Sequence, residues 1–301
     1  MLNKESAYIK TGEYKPVVDF TMGADPEFLV VDKKVVVKGN EILKEGDDFG
    51  VDGNGVLFEI RPEPSTSPLE VTNNVRQAMV RQCIKNPKFL DFDWYAGSFQ
   101  RDFGIGGHIH FGIKDNLIDF PNASNILAQY VGAASILLED REQGLCRRKW
   151  KNGQYGHHID FRPQPYGFEY RCPSSWITDP KVSAAIMCLA KVVMFEALNN
   201  NKFKVVNRIK KNHVQEMLTD EVRSFWPDIW NDITKMSLYP HYKSYLDLIY
   251  FMIKRRRNWF PNCSLKEAWG IVDLTAFQTS PLKLQAIWQK FPKNEMSIVQ
   301  S

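Results

Sequence analysis

Four short stretches of this 301-residue chain each carry a pair of chemically capable side chains two positions apart. They are Asp25 and Glu27, Glu59 and Arg61, His108 and His110, and Glu169 and Arg171. Successive side chains of a β-strand point to opposite faces, so each pair would share one face while its apolar neighbours share the other. In the stretch from Gly106 to Gly112, Ile109 and Phe111 can pack on a core and leave two imidazoles side by side. The flanking glycines let another backbone or a ligand approach closely. Carboxylates with imidazole suit hard divalent cations such as magnesium or manganese. Arginines suit phosphate or carboxylate oxygens, which they grip bidentately. Each pair alone has a bland explanation, because antiparallel strands with one wet face alternate in the same way. Aligned in one sheet, the four would form a bowl of acceptors and cations. Such a bowl suits nucleotide-dependent phosphoryl transfer, where catalysis is mainly positioning and charge neutralisation.

The elements that must position these pairs can be read in order. Phe20 to Val31 is rich in strand formers and predicts a strand, with a hairpin through Asp32-Lys33-Lys34 to Val35-Val36-Val37. Pro26 cannot donate a ladder hydrogen bond, which predicts a bulge or an edge position there. Asp47 to Gly55 reads as a turn-rich loop feeding a strand over Val56 to Pro62. Ser67-Pro68-Leu69-Glu70 is a capped helix start, and the helix runs to about Cys83. A strand is expected around Trp94 to Phe99, and a second helix from about Asn122 to Asp140. A basic run at Arg147-Arg148-Lys149, a turn at Asn152-Gly153 and strands through Tyr155 to Arg162 and Tyr166 to Arg171 follow. From Asp179-Pro180 the pattern is helical: one helix to about Leu198, then others near His213 to Leu218, Tyr242 to Lys254 and Ser264 to Trp269. The expected division is a lead-in over 1–18, a sheet core over 19–178 and a mainly helical part over 179–301 that packs on the sheet, in the same structural unit.

Composition narrows the class. Hydrophobic content of 44% and charged content of 25% are those of an ordinary globular protein. The net charge of +4, from 39 basic and 35 acidic residues, is too mild to argue for a nucleic-acid or membrane partner. Five scattered cysteines make neither a disulfide framework nor a zinc ribbon, and the first residues carry no apolar signal segment. No uninterrupted apolar run is long enough to span a bilayer. The expectation is a soluble, cytoplasmic protein.

The ordered set Gly23-Ala24-Asp25-Pro26-Glu27-Phe28, Phe58-Glu59-Ile60-Arg61-Pro62, Gly107-His108-Ile109-His110-Phe111-Gly112 and Tyr166-Gly167-Phe168-Glu169-Tyr170-Arg171 resembles the carboxylate–amine ligases. The likeness is to phage-type amidoligases related to glutamate–cysteine ligase and glutamine synthetase, and it covers roughly residues 20–178. The resemblance implies an α+β fold: a curved, mainly antiparallel sheet of the glutamine synthetase type, with an active concave face and helices behind. It implies ATP with magnesium or manganese as cofactors, and an acyl phosphate that an amine converts to an amide. Glu27, Glu59 and Glu169 would be metal ligands, His108 a ligand or phosphate contact with His110 beside it, and Asp25 a further ligand. A departure from the family pattern at Asp25-Pro26 leaves Asp25's role open. Arg171, Arg162 and Arg61 would neutralise phosphate or hold the substrate carboxylate, with Arg171, Glu59 and Arg162 taken as catalytic and His110, Arg61, Arg162 and Arg171 as nucleotide-binding. The substrates would be a small carboxylate and an amine, the amine free or attached to a macromolecule. A phage-encoded member would work in the host cytoplasm. Nothing in the sequence names the acid, the amine or the oligomeric state.

Two other classes fit part of this pattern. A His-x-His strand with carboxylates also builds hydrolytic metal sites, zinc included, although such a site has little use for inward-aimed arginines. A catalytically inactive relative could instead serve as a structural or nucleic-acid-binding protein. Its working surface would be the basic runs Lys202 to Lys211 and Lys254 to Arg257, which otherwise read as solvated helix faces. Arg147-Arg148-Lys149 reads as a solvated basic turn rather than a phosphate grip, and His157-His158 as structural. Asp52 stays open between ligand and turn former, and the aromatic group Phe225, Trp226, Trp230, Tyr242, Tyr245, Trp259 and Phe260 reads as core.

Overall fold

The computed structural model describes residues 17–52, 55–150, 155–259 and 264–271. Its strands are β1 (Thr21–Asp32), β2 (Val35–Val36), β3 (Phe49–Asp52), β4 (Leu57–Ile60), β5 (Asp93–Tyr95), β6 (Phe99–Gln100), β7 (Phe103–Gly104), β8 (Gly107–Gly112), β9 (Phe161–Gln164) and β10 (Gly167–Tyr170). Its α-helices are α1 (Gly39–Ile42), α2 (Pro68–Lys85), α3 (Phe120–Leu127), α4 (Ala133–Leu138), α5 (Arg141–Lys149), α6 (Pro180–Asn199), α7 (Lys211–Gln215), α8 (Thr219–Thr234), α9 (Tyr239–Lys254) and α10 (Leu265–Ala268).

The twelve-residue β1 is the axis of a curled antiparallel sheet ordered β3-β4-β1-β8-β10-β9, with β2 and β5 also paired to β1. This is the α+β architecture the sequence predicts. Its apolar face follows strand alternation: Met22, Ala24, Phe28 and Val30 of β1 join Phe58, Ile60, Ile109, Phe111, Phe168 and Tyr170. Val71, Val75 and Met79 of α2 and Ile186, Leu189 and Val193 of α6 complete that buried cluster. The other face changes character along β1. It is polar at Asp25 and Glu27, then apolar at Leu29 and Val31, which form a second buried cluster with Leu57 and Ile105. The polar face is therefore walled off at one end.

Helix boundaries follow their caps. Ser67 accepts from the Glu70 amide at 3.4 Å ahead of Pro68, and Asp179 accepts from the Lys181 amide at 2.7 Å ahead of Pro180. With a mean hydropathy of 1.6, α6 is long and apolar enough to cross a membrane by length and composition, although Lys191 and Glu196 interrupt its apolar run. Its apolarity has another use: 78% of that window is buried, packed against α2, α3 and α9.

Other expectations are corrected by tertiary contacts. Pro26 is neither at a sheet edge nor in a bulge, but inside β1, opposite Gly107. The Glu27 amide donates to the Gly106 carbonyl at 2.8 Å, so strand alternation turns the missing Pro26 N–H toward β4. There β1–β4 pairing comprises Glu27↔Glu59 and Phe28↔Phe58 and stops short of the proline. The supposed loop over Asp47 to Gly55 contains β3, held against β4 while Phe49 packs edge-on to Phe28 at 5.1 Å. The helix expected from Asn122 to Asp140 is interrupted by a π-helical turn at Ala128–Gly132. The stretch from Trp94 to Phe99 divides into β5 and β6 around Gly97. Of Tyr155 to Arg162, only Phe161 and Arg162 are strand, and His157-His158 lies at a turn. Helix α8 lies where the sequence reading places no helix, and it carries Pro227 inside it.

The basic runs divide. Lys202 to Lys210 belongs to no helix, while Lys254 ends α9 and Arg255 to Arg257 follow it, exposed. Trp226, Tyr242 and Trp259 are buried, and Phe225, Trp230 and Tyr245 pack on them as core. Phe260, the Asn152-Gly153 turn and nearly all of the 1–18 lead-in lie outside the described residues.

Candidate active site

Directly opposed residues of antiparallel strands project to the same face, so the register decides what meets what. Glu27 pairs with Glu59, Asp25 with His108, Gly23 with His110, Glu169 with His110, and Glu169 with Arg162. Asp25, Glu27, Glu59, His108, His110, Arg162 and Glu169 thus stand on one side of the sheet, with Arg61 and Arg171 at the ends of their strands. At the centre, Asp25 Oδ1 lies 3.1 Å from His108 Nδ1 and 3.0 Å from His110 Nε2. Glu169, fully buried, places Oε1 3.2 Å from His108 Nδ1 and 3.0 Å from Arg171 Nε. Its Oε2 accepts from Arg162 Nε at 2.7 Å and from Gln164 Nε2 at 3.1 Å. On the β4 side, Arg61 Nε donates to Glu59 Oε1 at 2.5 Å.

Burial and charge set the protonation states. Burial would raise the Asp25 carboxyl, but His108 and His110 outweigh it and hold it well below the usual carboxylate range. Burial pushes Glu27 up to about 7; His108 opposes the rise and neighbouring Asp52 adds to it. Burial likewise raises Glu59, helped by the Asp25 charge and opposed by Arg61. Burial would lower His108, but Asp25, Glu27 and Glu169 together raise it.

The stability consequence is definite. A carboxyl with a raised folded-state pKa binds more protons folded than unfolded, so stability falls as pH rises from its unfolded to its folded value. For Glu27 that window runs from about 4.5 to about 7, an effect on the order of 3 kcal/mol. The raised His108 adds a loss in the same direction, above its ordinary value of 6.5. In EDTA, the melting temperature should therefore fall from pH 4.5 to 7, and Glu27→Gln should flatten the slope. A wild-type melting temperature that rises over that window would contradict the assignment.

The sequence reading missed several groups that complete the site. Tyr155, buried, donates to Glu27 Oε2 at 2.8 Å and lies 3.1 Å from His108 Nε2. The Gly106 amide donates to the same Glu27 oxygen at 2.6 Å. A Cβ at Gly106 would meet the Tyr155 hydroxyl at 2.2 Å, so the close approach that this glycine permits is used by the protein itself. Tyr166 hydrogen-bonds His110 Nδ1 and stacks on its ring. Arg147, expected in a solvated turn, is instead helical and fully buried. It donates to the carbonyls of Cys172 at 2.8 Å, Pro173 at 2.9 Å and Arg171 at 3.3 Å, which fixes the chain just after β10. Arg148 is buried as well, bonded to Glu139 at 2.6 Å. No local pattern distinguishes these arginines from surface ones, since the carboxylate of Glu139 is 9 residues from Arg148 and the carbonyls that hold Arg147 are 24 to 26 residues away.

The donor set fits a divalent cation. Asp25, His110 and Glu169 each offer a ligand atom, and these atoms lie within 4.8 Å of one another. Asp25 Oδ1, His108 Nδ1, His110 Nε2 and Glu169 Oε1 are buried and in no aligned hydrogen bond, despite their proximity. Oxygen-rich ligation with imidazole is the chemistry of magnesium or manganese rather than of a thiolate-bound metal. The sequence favours His108 over His110 as a ligand; the geometry groups His110 with the carboxylates and gives His108 contacts on both ring nitrogens.

No curated protein matches this chain. Among solved structures it is similar to one described as "Apo GmaS without ligand", at 12% identity and a TM-score of 0.43, over 90% of this chain and 72% of that one. Residues 22–271, which include every residue of the polar face, match one protein family throughout. The chain belongs to the phage phiEco32-like COOH.NH2 ligase-type 2 family.

Proposed function

We propose that this carboxylate–amine ligase depends on ATP and a divalent cation, magnesium or manganese, and works through an acyl phosphate. The substrate carboxylate takes the γ-phosphoryl group and ADP leaves. The amine then attacks the acyl carbon, which gives the amide and releases phosphate. One observation carries the reading: Asp25, His110 and Glu169 converge within cation-binding distance while Arg162 and Arg171 grip the same Glu169 carboxylate. Cation ligands and phosphate-matching guanidiniums on one surface suit phosphoryl transfer, and a hydrolytic metal site has no comparable need for the arginines.

Asp25, Glu59, Glu169 and the imidazoles would hold the cation, with Glu27 beside them; the bound cation would neutralise phosphate charge. Arg171, with its Nε on Glu169 and its guanidinium 5.6 Å from the Tyr155 ring centre, presents a fixed positive charge to a phosphoryl or carboxylate oxygen. Arg61 and Arg162 are anchored on Glu59 and Glu169 yet 64% and 53% exposed, so they can meet a nucleotide arriving from solvent. A cavity of about 450 Å³, lined by Lys114, Asn116, Phe120, Gln164 and Tyr166 among others, opens beside the His110 end and is the proposed room for a small substrate. The reaction would run in a cytoplasm, where ATP and magnesium are supplied.

Purified protein given ATP, magnesium and a panel of carboxylate–amine pairs should release ADP in a magnesium-dependent way. Arg171→Lys keeps the charge but loses the planar fork, and should lower turnover by roughly a hundredfold with an unchanged fold. A protein whose melting temperature ignores ATP–magnesium and that releases no ADP would defeat the reading.

A further inference from the structure

We infer that Tyr155 is a positioning residue that joins the two halves of the site: its hydroxyl sets the proton on His108 Nε2 and the orientation of Glu27. The inference rests on the ligase reading only for its consequence in cation binding.

A phenol has one proton and can also accept. Glu27 Oε2, which already accepts from the Gly106 N–H at 2.6 Å, lies 2.8 Å from the Tyr155 oxygen and accepts a hydrogen bond from its O–H. The Tyr155 oxygen then has only a lone pair to offer His108 Nε2 at 3.1 Å, so Nε2 must carry a hydrogen. The ring orientation turns Nδ1 to Asp25 Oδ1 and Glu169 Oε1, at 3.1 and 3.2 Å, so in the neutral ring that nitrogen keeps its lone pair. The second ring nitrogen of a site imidazole sets the tautomer and aim of the first.

The ring that delivers this hydroxyl is held independently of it. Arg147 lies 4.8 Å and Arg171 5.6 Å from its centre, with Trp150 and His108 edge-on at 5.6 and 5.9 Å. Arg147 meets the polar face through this ring and through the carbonyls of residues 171–173. A phenylalanine would keep every ring contact, so Tyr155→Phe removes the hydroxyl and little else.

Two measurements on the full-length protein test this. In histidine-labelled, metal-free wild type taken alkaline enough for the His108 ring to be neutral, ¹H–¹⁵N NMR should place its one remaining ring proton on Nε2, assigned through its contact with the Tyr155 ring; a neutral ring protonated at Nδ1 would overturn the inference. Manganese titrations followed by electron paramagnetic resonance should show Tyr155→Phe binding about 10- to 100-fold more weakly, with little change in the metal-free melting temperature. Equal affinity in both proteins would overturn Tyr155's role and leave the ligase reading standing. Wild type that binds no manganese, with or without ATP, would overturn the ligase reading, while the NMR result would still decide the proton. Should Tyr155→Phe fail to fold, the wild-type spectrum decides alone.

Discussion

Glu169→Gln should abolish magnesium-dependent ADP release and weaken manganese binding beyond detection, at a cost of about 2 to 3 kcal/mol in stability. The carboxylate is fully buried and is shared by Arg162, Gln164, Arg171 and His108. Glutamine keeps the shape but removes the charge that balances two guanidiniums and an imidazole. Breaking a fully buried ion pair costs about 3–5 kcal/mol. Here the Arg162 and Arg171 side chains are 53% and 22% exposed, so water recovers part of that cost. Urea denaturation measures the stability change and the manganese titration measures the site. A Glu169→Gln protein with wild-type cation affinity would remove Glu169 from the ligand set.

The largest purely structural effect should come from Arg147→Met, about 3 to 5 kcal/mol. Methionine fills the space of the aliphatic stem but leaves the carbonyls of Arg171, Cys172 and Pro173 without this donor. Gly156 shows how closely the guanidinium is enclosed. With φ at +69°, a left-handed backbone that favours glycine, it would also bring any Cβ within 2.2 Å of Arg147 Nη1. Arg147→Lys should restore only part of the loss, because a single ammonium cannot span three carbonyls as a planar guanidinium does. The measurement is the urea midpoint of both variants. A loss under about 1 kcal/mol for Arg147→Met would mean that water or rearranged neighbours satisfy those carbonyls.

Much of the polar face could be read without coordinates, because its grammar is local. A period of two places His108 with His110 and Asp25 with Glu27 on one side of a strand, whatever the strand later pairs with. Capping chemistry at Ser67 and Asp179 is equally local, and both helices begin where those residues predict. Pro26 shows where local reasoning stops. Its missing N–H is a sequence fact, but the harmlessness of that gap depends on which neighbour the N–H would have faced and where the β4 pairing ends. Phe49 and Val51 became strand for a similar reason, since β4 offered a partner that turn-rich composition could not reveal.

The sequence by itself determined which side chains could do chemistry, which of them share a face along each strand, and, through their order, the family resemblance. Only the tertiary structure decided the register that sets Asp25 against His108 and Glu169 against His110. Only it decided that Arg147 is a buried brace, that Tyr155 bridges Glu27 and His108, and that His110 joins the carboxylates. The physical reason is separation along the chain. Strand alternation and capping act over a few residues, whereas the partners of Tyr155 lie 128 and 47 residues away and meet it only once the sheet has closed.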